Sequence, residues 1–449
     1  MQIISWEVIL LKESVFKKLK DPDKFIFFLI FLMLIERIVM FFIIGPTGIS
    51  NSDDVGYLKG GMYFAKTGIL SVWIDLPTAL IMPAMPVITG IACKIFGETP
   101  AYLVSLKILW IVMGLFTPYF VYKIVSIFIP KWYGILAAAI FLLPNFAWMD
   151  NVILTETPYM LFNMMCLYYT FCMGRSKDKK YFFMYILSFL AALSFRANIV
   201  SMPIFTAIYL LLKKTYSGKE LFKRLLVFVC ASMIFFVPWT IRNYIQFDAF
   251  IPLGYGAADP TLKGTYQGVG YPLDEELDYE TNVKDVLMEQ YAEYFDENGE
   301  LKDGDQFQYI DNMEKGIKAR YRIKYWLEND PVSFLKSYLL IKPFSVLNWV
   351  WYWGPAEVAV TQVLSIISKI NCVLCAAAVI LSLIKKKLRL PVMYLAGMYV
   401  INLYIMAMSF AIERYGAQLM PLRYILSIMG IWLIAESVKE YRVKKPKLK

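Results

Sequence analysis

Apolar runs about as long as a bilayer is thick recur along this chain, and they constrain its fold more than any other feature. A membrane helix needs about 20 predominantly apolar residues. Roughly ten stretches approach that length, at 25–44, 101–128, 133–150, 152–173, 181–195, 198–213, 223–240, 360–384, 390–411 and 417–436. Composition agrees, since 59% of the 449 residues are hydrophobic where soluble domains hold about 45–50%. The expected fold is an all-α polytopic membrane protein of about ten transmembrane helices.

The polar stretches organise the rest. The basic, amphipathic start at 1–24 runs straight into the first apolar stretch with no small-residue cleavage site, so it reads as a signal anchor lying on the cytoplasmic surface. A first loop at 45–82 contains a helix-like stretch from Asp54 to Thr67, followed by an apolar piece from Pro83 to Gly97 that is too short to span. Both read as interfacial helices. A hydrophilic segment at 241–355 precedes the last three spans, and its 344–353 end is aromatic. Three regions follow: an N-terminal membrane module at 1–240, this cap or loop at 241–355, and C-terminal helices with a basic tail at 356–449.

Lysine and arginine collect at the start, at 131, 175–180, 213–224, 385–389 and 444–449. Ten spans place all these groups on one side, which the positive-inside rule makes the cytoplasm, so both termini are cytoplasmic. Counting spans then puts Asp53, Asp54, Arg196, Arg242, the large hydrophilic segment and Glu413-Arg414 together on the outer face. Residues 241–330 carry 19 acidic against 9 basic side chains, whereas the whole chain is +10. The positive charge therefore belongs to the membrane flanks and gives no reason to expect nucleic acid as a partner.

The sequence contains no histidine, which removes Ser-His-Asp and Cys-His catalysis and disfavours a transition-metal centre. The six cysteines lie in apolar stretches, and Cys372-x-x-Cys375 reads as core. Any general base must come chiefly from the carboxylates. Asp53 and Asp54 stand at the mouth of the first span. A helix cap explains one of them, but three arginines on the same predicted face suggest an anion site beside a base. Each arginine alone is ordinarily an interfacial snorkeller. Glu36-Arg37 inside the first span reads as an ion pair within the bundle.

These residues resemble a known family. Ser52, Asp53, Asp54 and Tyr57, with Ala65 and Gly68 beyond, resemble the Asp-Glu-x-x-Tyr…Ala…Gly first loop of GT-C glycosyltransferases, in particular the protein O-mannosyltransferase, aminoarabinose transferase and Rgt-like branch. In the family's order, Pro83 and Pro86 followed by Lys94 and Gly97 resemble its second loop. Leu154, Thr155, Glu156 and Pro158 resemble its Thr-Glu-Pro turn, and Leu193 to Arg196 its Leu-Thr-Arg-Pro turn. Pro238, Trp239, Arg242 and Asn243 resemble Pro-Trp-x-x-Arg-Asn, and Arg414, Tyr415 and Pro421 its last element. Asp54 stands where the family commonly has Glu, the second loop lacks its basic residue, and Thr157 is an extra residue before Pro158.

The resemblance implies a membrane glycosyltransferase that moves a sugar from a polyprenyl-phosphate donor to a hydroxyl of a lipid, protein or cell-wall glycan acceptor. It implies inversion, with Asp53 as base, Asp54 orienting Asp53 or the acceptor or else capping the helix, Arg196, Arg242 and Arg414 toward the donor phosphate, Tyr57 toward substrate, and Glu156 holding an arginine or contacting the sugar. Oxygen ligands at Asp53 and Asp54 would suit Mg²⁺ or Mn²⁺, and the sequence does not decide whether a metal is present. The expected location is the bacterial inner membrane. A lipid or glycolipid transporter or flippase competes, although no internal repeat supports it. An envelope polysaccharide polymerase or ligase competes as well.

Overall fold

The structure is a computed structural model describing residues 21–302, 304–348 and 350–444. The amphipathic start at 1–20 and the tail at 445–449 lie outside the described residues. What is described is helical throughout, apart from two isolated β-bridges.

The first helix, α1 (Pro22–Ile44), begins on Asp21, whose carboxylate accepts the Asp23 amide, and has Pro22 in its first turn. Gly45 ends it at φ +89°. Ile26, Leu29, Met33, Arg37 and Met40 are buried at helical spacing, while Phe27, Phe31 and Phe42 face outward. Next come α2 (Asp53–Thr67) and α3 (Ala84–Phe96), the two short helices expected in the first loop, packed on each other. Their crossing is close because a Cβ on Gly61 would lie 2.3 Å from Thr89 Oγ1. Thr89 in turn donates to the carbonyls of Met85 (2.7 Å) and Tyr57 (3.0 Å).

The bundle continues through α4 (Pro100–Phe128), α5 (Lys131–Ala139), α6 (Pro144–Met149), α7 (Glu156–Met173), α8 (Lys179–Phe195), α9 (Met202–Lys213) and α10 (Gly218–Phe247). Ser217 and Glu220 start α10 with a reciprocal capping box. The hydrophilic segment holds α11 (Ala258–Thr265), α12 (Asp285–Gln290), α13 (Phe307–Asn329), α14 (Pro331–Lys336) and α15 (Lys342–Asn348). The last helices are α16 (Glu357–Lys385), α17 (Arg389–Ala407), α18 (Glu413–Ala417) and α19 (Met420–Lys444).

Six helices are long and apolar enough to cross a membrane: α1, α4, α10, α16, α17 and α19. The other apolar runs of the sequence form shorter or more polar helices, and two of them show why. The 133–150 run is interrupted by a 3₁₀ turn at Ile140–Leu142 and restarts at Pro144. Helix α7 carries Glu156, Thr157, Asn163 and Thr170, and nearly all its side chains are buried among other helices. A helix enclosed by protein need not satisfy lipid, so its hydropathy falls below that of a lipid-facing span. The peripheral helices show the opposite pattern. On α10 and α16, Leu225, Leu226, Ile234, Val363, Ile366 and Val373 point outward, as a multi-pass membrane protein requires.

A separate small core joins the hydrophilic segment to the bundle. Ile251, Tyr255, Val283, Leu287, Tyr309, Ile310 and Ile317 pack with Ala79 of the first loop and with Trp239 and Phe247 of α10. Arg322 is buried in this cap, where it donates to Thr265 Oγ1 (2.7 Å), Tyr279 OH (2.6 Å) and the Pro272 carbonyl (2.8 Å) and pairs with Asp274.

Inside the bundle, Arg37 is fully buried. Its Nε donates to Asp150 Oδ2 (3.1 Å), Nη1 to Glu36 Oε2 (2.7 Å), and Nη2 to the Phe141 carbonyl in the 3₁₀ turn (2.9 Å). Thr157 Oγ1 donates to Asp150 Oδ1 at 2.9 Å. A Cβ on Gly114 would strike the Asp150 carboxyl at 2.1 Å, so glycine on α4 makes room for this group. The network ties α1, the helix break and the start of α7 together, and it holds the helix that carries Glu156. Arg37→Met should destabilise the protein by about 3 kcal/mol because Asp150 is left buried and unpaired. Adding Asp150→Asn should recover part of that loss, read as reversible unfolding in mixed micelles.

Candidate functional site

The residues singled out at the end of the first span meet where α1, α7, α8 and α17 all begin or end. Asp53 is the first residue of α2 and Asp54 the second. They do different things. Asp54 is fully buried, and both of its oxygens face backbone: Oδ2 accepts from the Ser50 amide, and Oδ1 accepts from Ser52 (2.9 Å) and Val55 (3.0 Å). It holds the turn that presents Asp53. Behind it, buried Lys107 on α4 donates to the Gly45 carbonyl at 2.7 Å and supplies a positive charge toward Asp54.

The Asp53 side chain is 41% exposed, and its Oδ2 accepts from Arg414 Nη1 at 2.7 Å. Among the described hydrogen bonds, Oδ1 has no partner. Arg414, buried on the short helix α18, also donates from Nε to Glu156 Oε1 at 2.8 Å and from Nη2 to Oε2 at 3.4 Å. Arg196 Nη1 shares that same Glu156 Oε1 at 2.8 Å. Four side chains from four distant parts of the chain therefore form one row, Asp53–Arg414–Glu156–Arg196, two negative and two positive. Glu156 is the bridge, and it is buried.

The geometry separates the two arginines. All three nitrogens of the Arg414 guanidinium are committed, to Glu156 and Asp53 and, at 3.4 Å, to Ser52 Oγ, and its Cζ lies 5.4 Å from the centre of the Trp351 ring. Burial alone would weaken its charge, but Glu156 and Asp53 outweigh burial and raise its pKa well above the ordinary arginine value. Arg196 spends one Nη on Glu156, lies 5.7 Å from the Tyr415 ring, and keeps 18% of its side chain exposed. Arg196 is thus the arginine with donors to spare. Tyr57 is buried beside the row, where burial first and the Asp53 charge second push its phenol pKa up and keep it protonated.

Arg242 does not join them. Its Nη1 donates to the Thr78 carbonyl (2.8 Å) and to Asn243 Oδ1 (3.0 Å), and its guanidinium lies 5.6 Å from both the Trp239 and Phe247 rings. It fastens the cap's core to the first loop. Pro238 and Trp239 belong to the same fastening, with Trp239 Nε1 donating to the Leu253 carbonyl. Among the described residues, no three His, Cys, Asp or Glu side chains gather as a metal-ligand group.

The sequence reading passed over Trp351. It is fully buried under Arg414, with Trp148 edge-on at 4.8 Å and Trp353 at 5.3 Å. The aromatic run at 344–353 was visible as composition, but only its contact with an arginine over 60 residues further along gives it a place at the site. Arg414→Lys should cost about 3 kcal/mol in unfolding, because one ammonium cannot bond both carboxylates as the guanidinium fork does. Arg242→Ala should cost only about 1 kcal/mol, the worth of its carbonyl contact.

No family model matches the chain and no curated protein matches it. Two crystal structures of ArnT from Cupriavidus metallidurans are similar to it. The one bound to undecaprenyl phosphate shows 11% identity, covers 93% of this chain and 79% of that one, and has a TM-score of 0.42. The apo structure shows 12% identity, covers 99% and 80%, and has a TM-score of 0.38. Similarity at this level assigns neither residue to residue nor activity to chain.

Proposed function

We propose that this protein is an integral-membrane glycosyltransferase of the GT-C class. It transfers a hexosyl or pentosyl group from a polyprenyl-phosphate donor to an acceptor hydroxyl at the outer face of the membrane, with inversion and Asp53 as base. The observation that carries this reading is the row Asp53–Arg414–Glu156–Arg196 at one mouth of the bundle. Together with the order of the first-loop, Thr-Glu and Arg-Tyr motifs, it places a half-exposed carboxylate next to fixed guanidinium groups.

The chemistry needs little more. Polyprenyl phosphate leaves without a proton, so the departing C1–O bond requires only stabilisation of the charge that grows on the phosphate oxygen. Spare donors of Arg196 supply it. The attacking hydroxyl loses its proton to Asp53 Oδ1 as the new C1–O bond forms on the opposite face of the sugar. Arg414 orients Asp53 through Oδ2, and Glu156 keeps both arginines in place. The row is electrically balanced before the donor arrives, and Arg196, with donors not taken by Glu156, is the group that meets the phosphate.

Asp53→Asn should lower transfer by at least about 100-fold, the usual worth of a general base, with unchanged expression and thermal midpoint. Mass spectrometry of the polyprenyl-phosphate lipids in such cells should show one lipid-phosphate sugar accumulating. An unchanged lipid pool in cells where the wild type is demonstrably active overturns the reading. Arg196→Ala should weaken retention of that donor by about tenfold, and Arg242→Ala should leave it within about twofold. The opposite order would move the phosphate to the cap side.

A further inference from the structure

The opposite end of the bundle holds a second charged site of different character. A cavity of about 400 Å³ opens where α4, α7, α9 and the α16–α17 turn come together, lined by Phe128, Arg175, Tyr209, Lys213, Lys386 and Arg389, with Leu388, Leu390 and Pro391. Four of these residues are cations and none is an acid. We propose that this cavity binds a phosphate-bearing headgroup of an anionic membrane lipid.

The positive-inside rule accounts for lysine and arginine on this side of the bundle, but not for how they are sorted. At the α16–α17 turn, Lys385 and Lys387 are neutralised by Glu440 of α19 at 2.7 and 2.8 Å, and Lys387 also approaches Glu436 at 3.6 Å. Lys386 between them has a left-handed backbone, φ +57°, as does Leu388 at +55°. That turn sends Lys386 and Arg389 to the cavity and their neighbours to the glutamates. Lys177 nearby is likewise taken up by Glu220 at 2.8 Å. Among the described residues, none of Arg175, Lys213, Lys386 and Arg389 is paired with a carboxylate. Arg175 is held in place by the Ile127 carbonyl and lies 5.8 Å from the Phe128 ring.

A cavity with four uncompensated cations calls for an anion with several acceptor oxygens, and phosphate is the common one. Its position selects a lipid. The lining lies at one end of the bundle, where the long apolar helix α4 ends at Phe128 and α17 begins at Arg389, and Phe128, Leu388, Leu390 and Pro391 give an apolar wall for the start of an acyl chain. Basic pockets between membrane helices take such headgroups, and the volume lies within the range of small-ligand sites.

The test uses the purified full-length protein, stripped of lipid in detergent and examined by native mass spectrometry with added dioleoylphosphatidylglycerol, dioleoylphosphatidylcholine or inorganic phosphate. Wild type should retain phosphatidylglycerol about tenfold better than phosphatidylcholine. Lys386→Gln/Arg389→Gln should lose that preference, while Lys179→Gln/Lys180→Gln, equal in charge and on the same side, should keep it. Arg175→Gln, on a separate element, repeats the test if the double variant does not fold. Equal retention of the two lipids, or equal loss in the Lys179/Lys180 variant, overturns the proposal. Displacement of the lipid by inorganic phosphate at equal concentration would keep the phosphate site and make its occupant soluble.

Discussion

The carboxylate of Glu156 is the point on which the geometry of the Asp53 site depends. It is buried, it lies at the first turn of the most enclosed helix, and it accepts from two guanidinium groups at once. Without it, the buried Arg414 and the largely covered Arg196 would repel each other in a medium of low dielectric constant. With it, Arg414 reaches Asp53 although it lies 258 residues after Glu156 and 361 after Asp53 in the chain. A single side chain thus fixes α2, α7, α8 and α18 relative to one another. Buried ion pairs of this kind contribute little net stability compared with apolar packing, but losing one partner is costly. They therefore favour a single arrangement, which is what a site assembled from four segments needs.

The same logic operates one layer deeper. Arg37 and Asp150 are expensive to place inside a membrane bundle, and they are tolerated because carbonyls, Glu36 and Thr157 satisfy them. Thr157 is the residue after Glu156. The buried pair consequently sets the start of α7 from beneath while the arginines hold it from above. The interruption of the 133–150 run belongs to this arrangement, since the free Phe141 carbonyl of the 3₁₀ turn is one of Arg37's acceptors.

Much of this was legible in the sequence, and the failures have physical causes. Alternation of spans put Asp53, Arg196 and Arg414 on one face, and their side chains meet in one row through Glu156. Arg242 was placed on that face by the same count, but its guanidinium goes to the Thr78 carbonyl and not to the row. Counting spans gives depth and sidedness and carries no lateral coordinate. Asp54 shows a related gap: adjacent acids look alike in sequence, and only the backbone turn at Ser50–Ser52 decides which is buried. Apolar runs mark buried helices and lipid-facing helices alike. Hydropathy separates the two only through residues such as Asn163 and Thr170 on α7, which an enclosed helix accommodates.

The two ends of the bundle treat charge in opposite ways. At the Asp53 end, each carboxylate of the row is matched to an arginine, so the site is balanced and carries little field of its own until a ligand disturbs it. At the other end, the glutamates neutralise Lys385, Lys387 and Lys177 and leave a group of cations around a cavity. A balanced row suits a site whose groups must exchange partners during a reaction, because no large charge has to be stripped of solvent when a donor enters. An unbalanced cavity suits standing occupancy by an anion, which would neutralise those cations while α16 and α17 stay paired with α19. The left-handed turn at Lys386 makes the second arrangement possible, because a regular helical turn there would not direct alternate lysines to opposite sides.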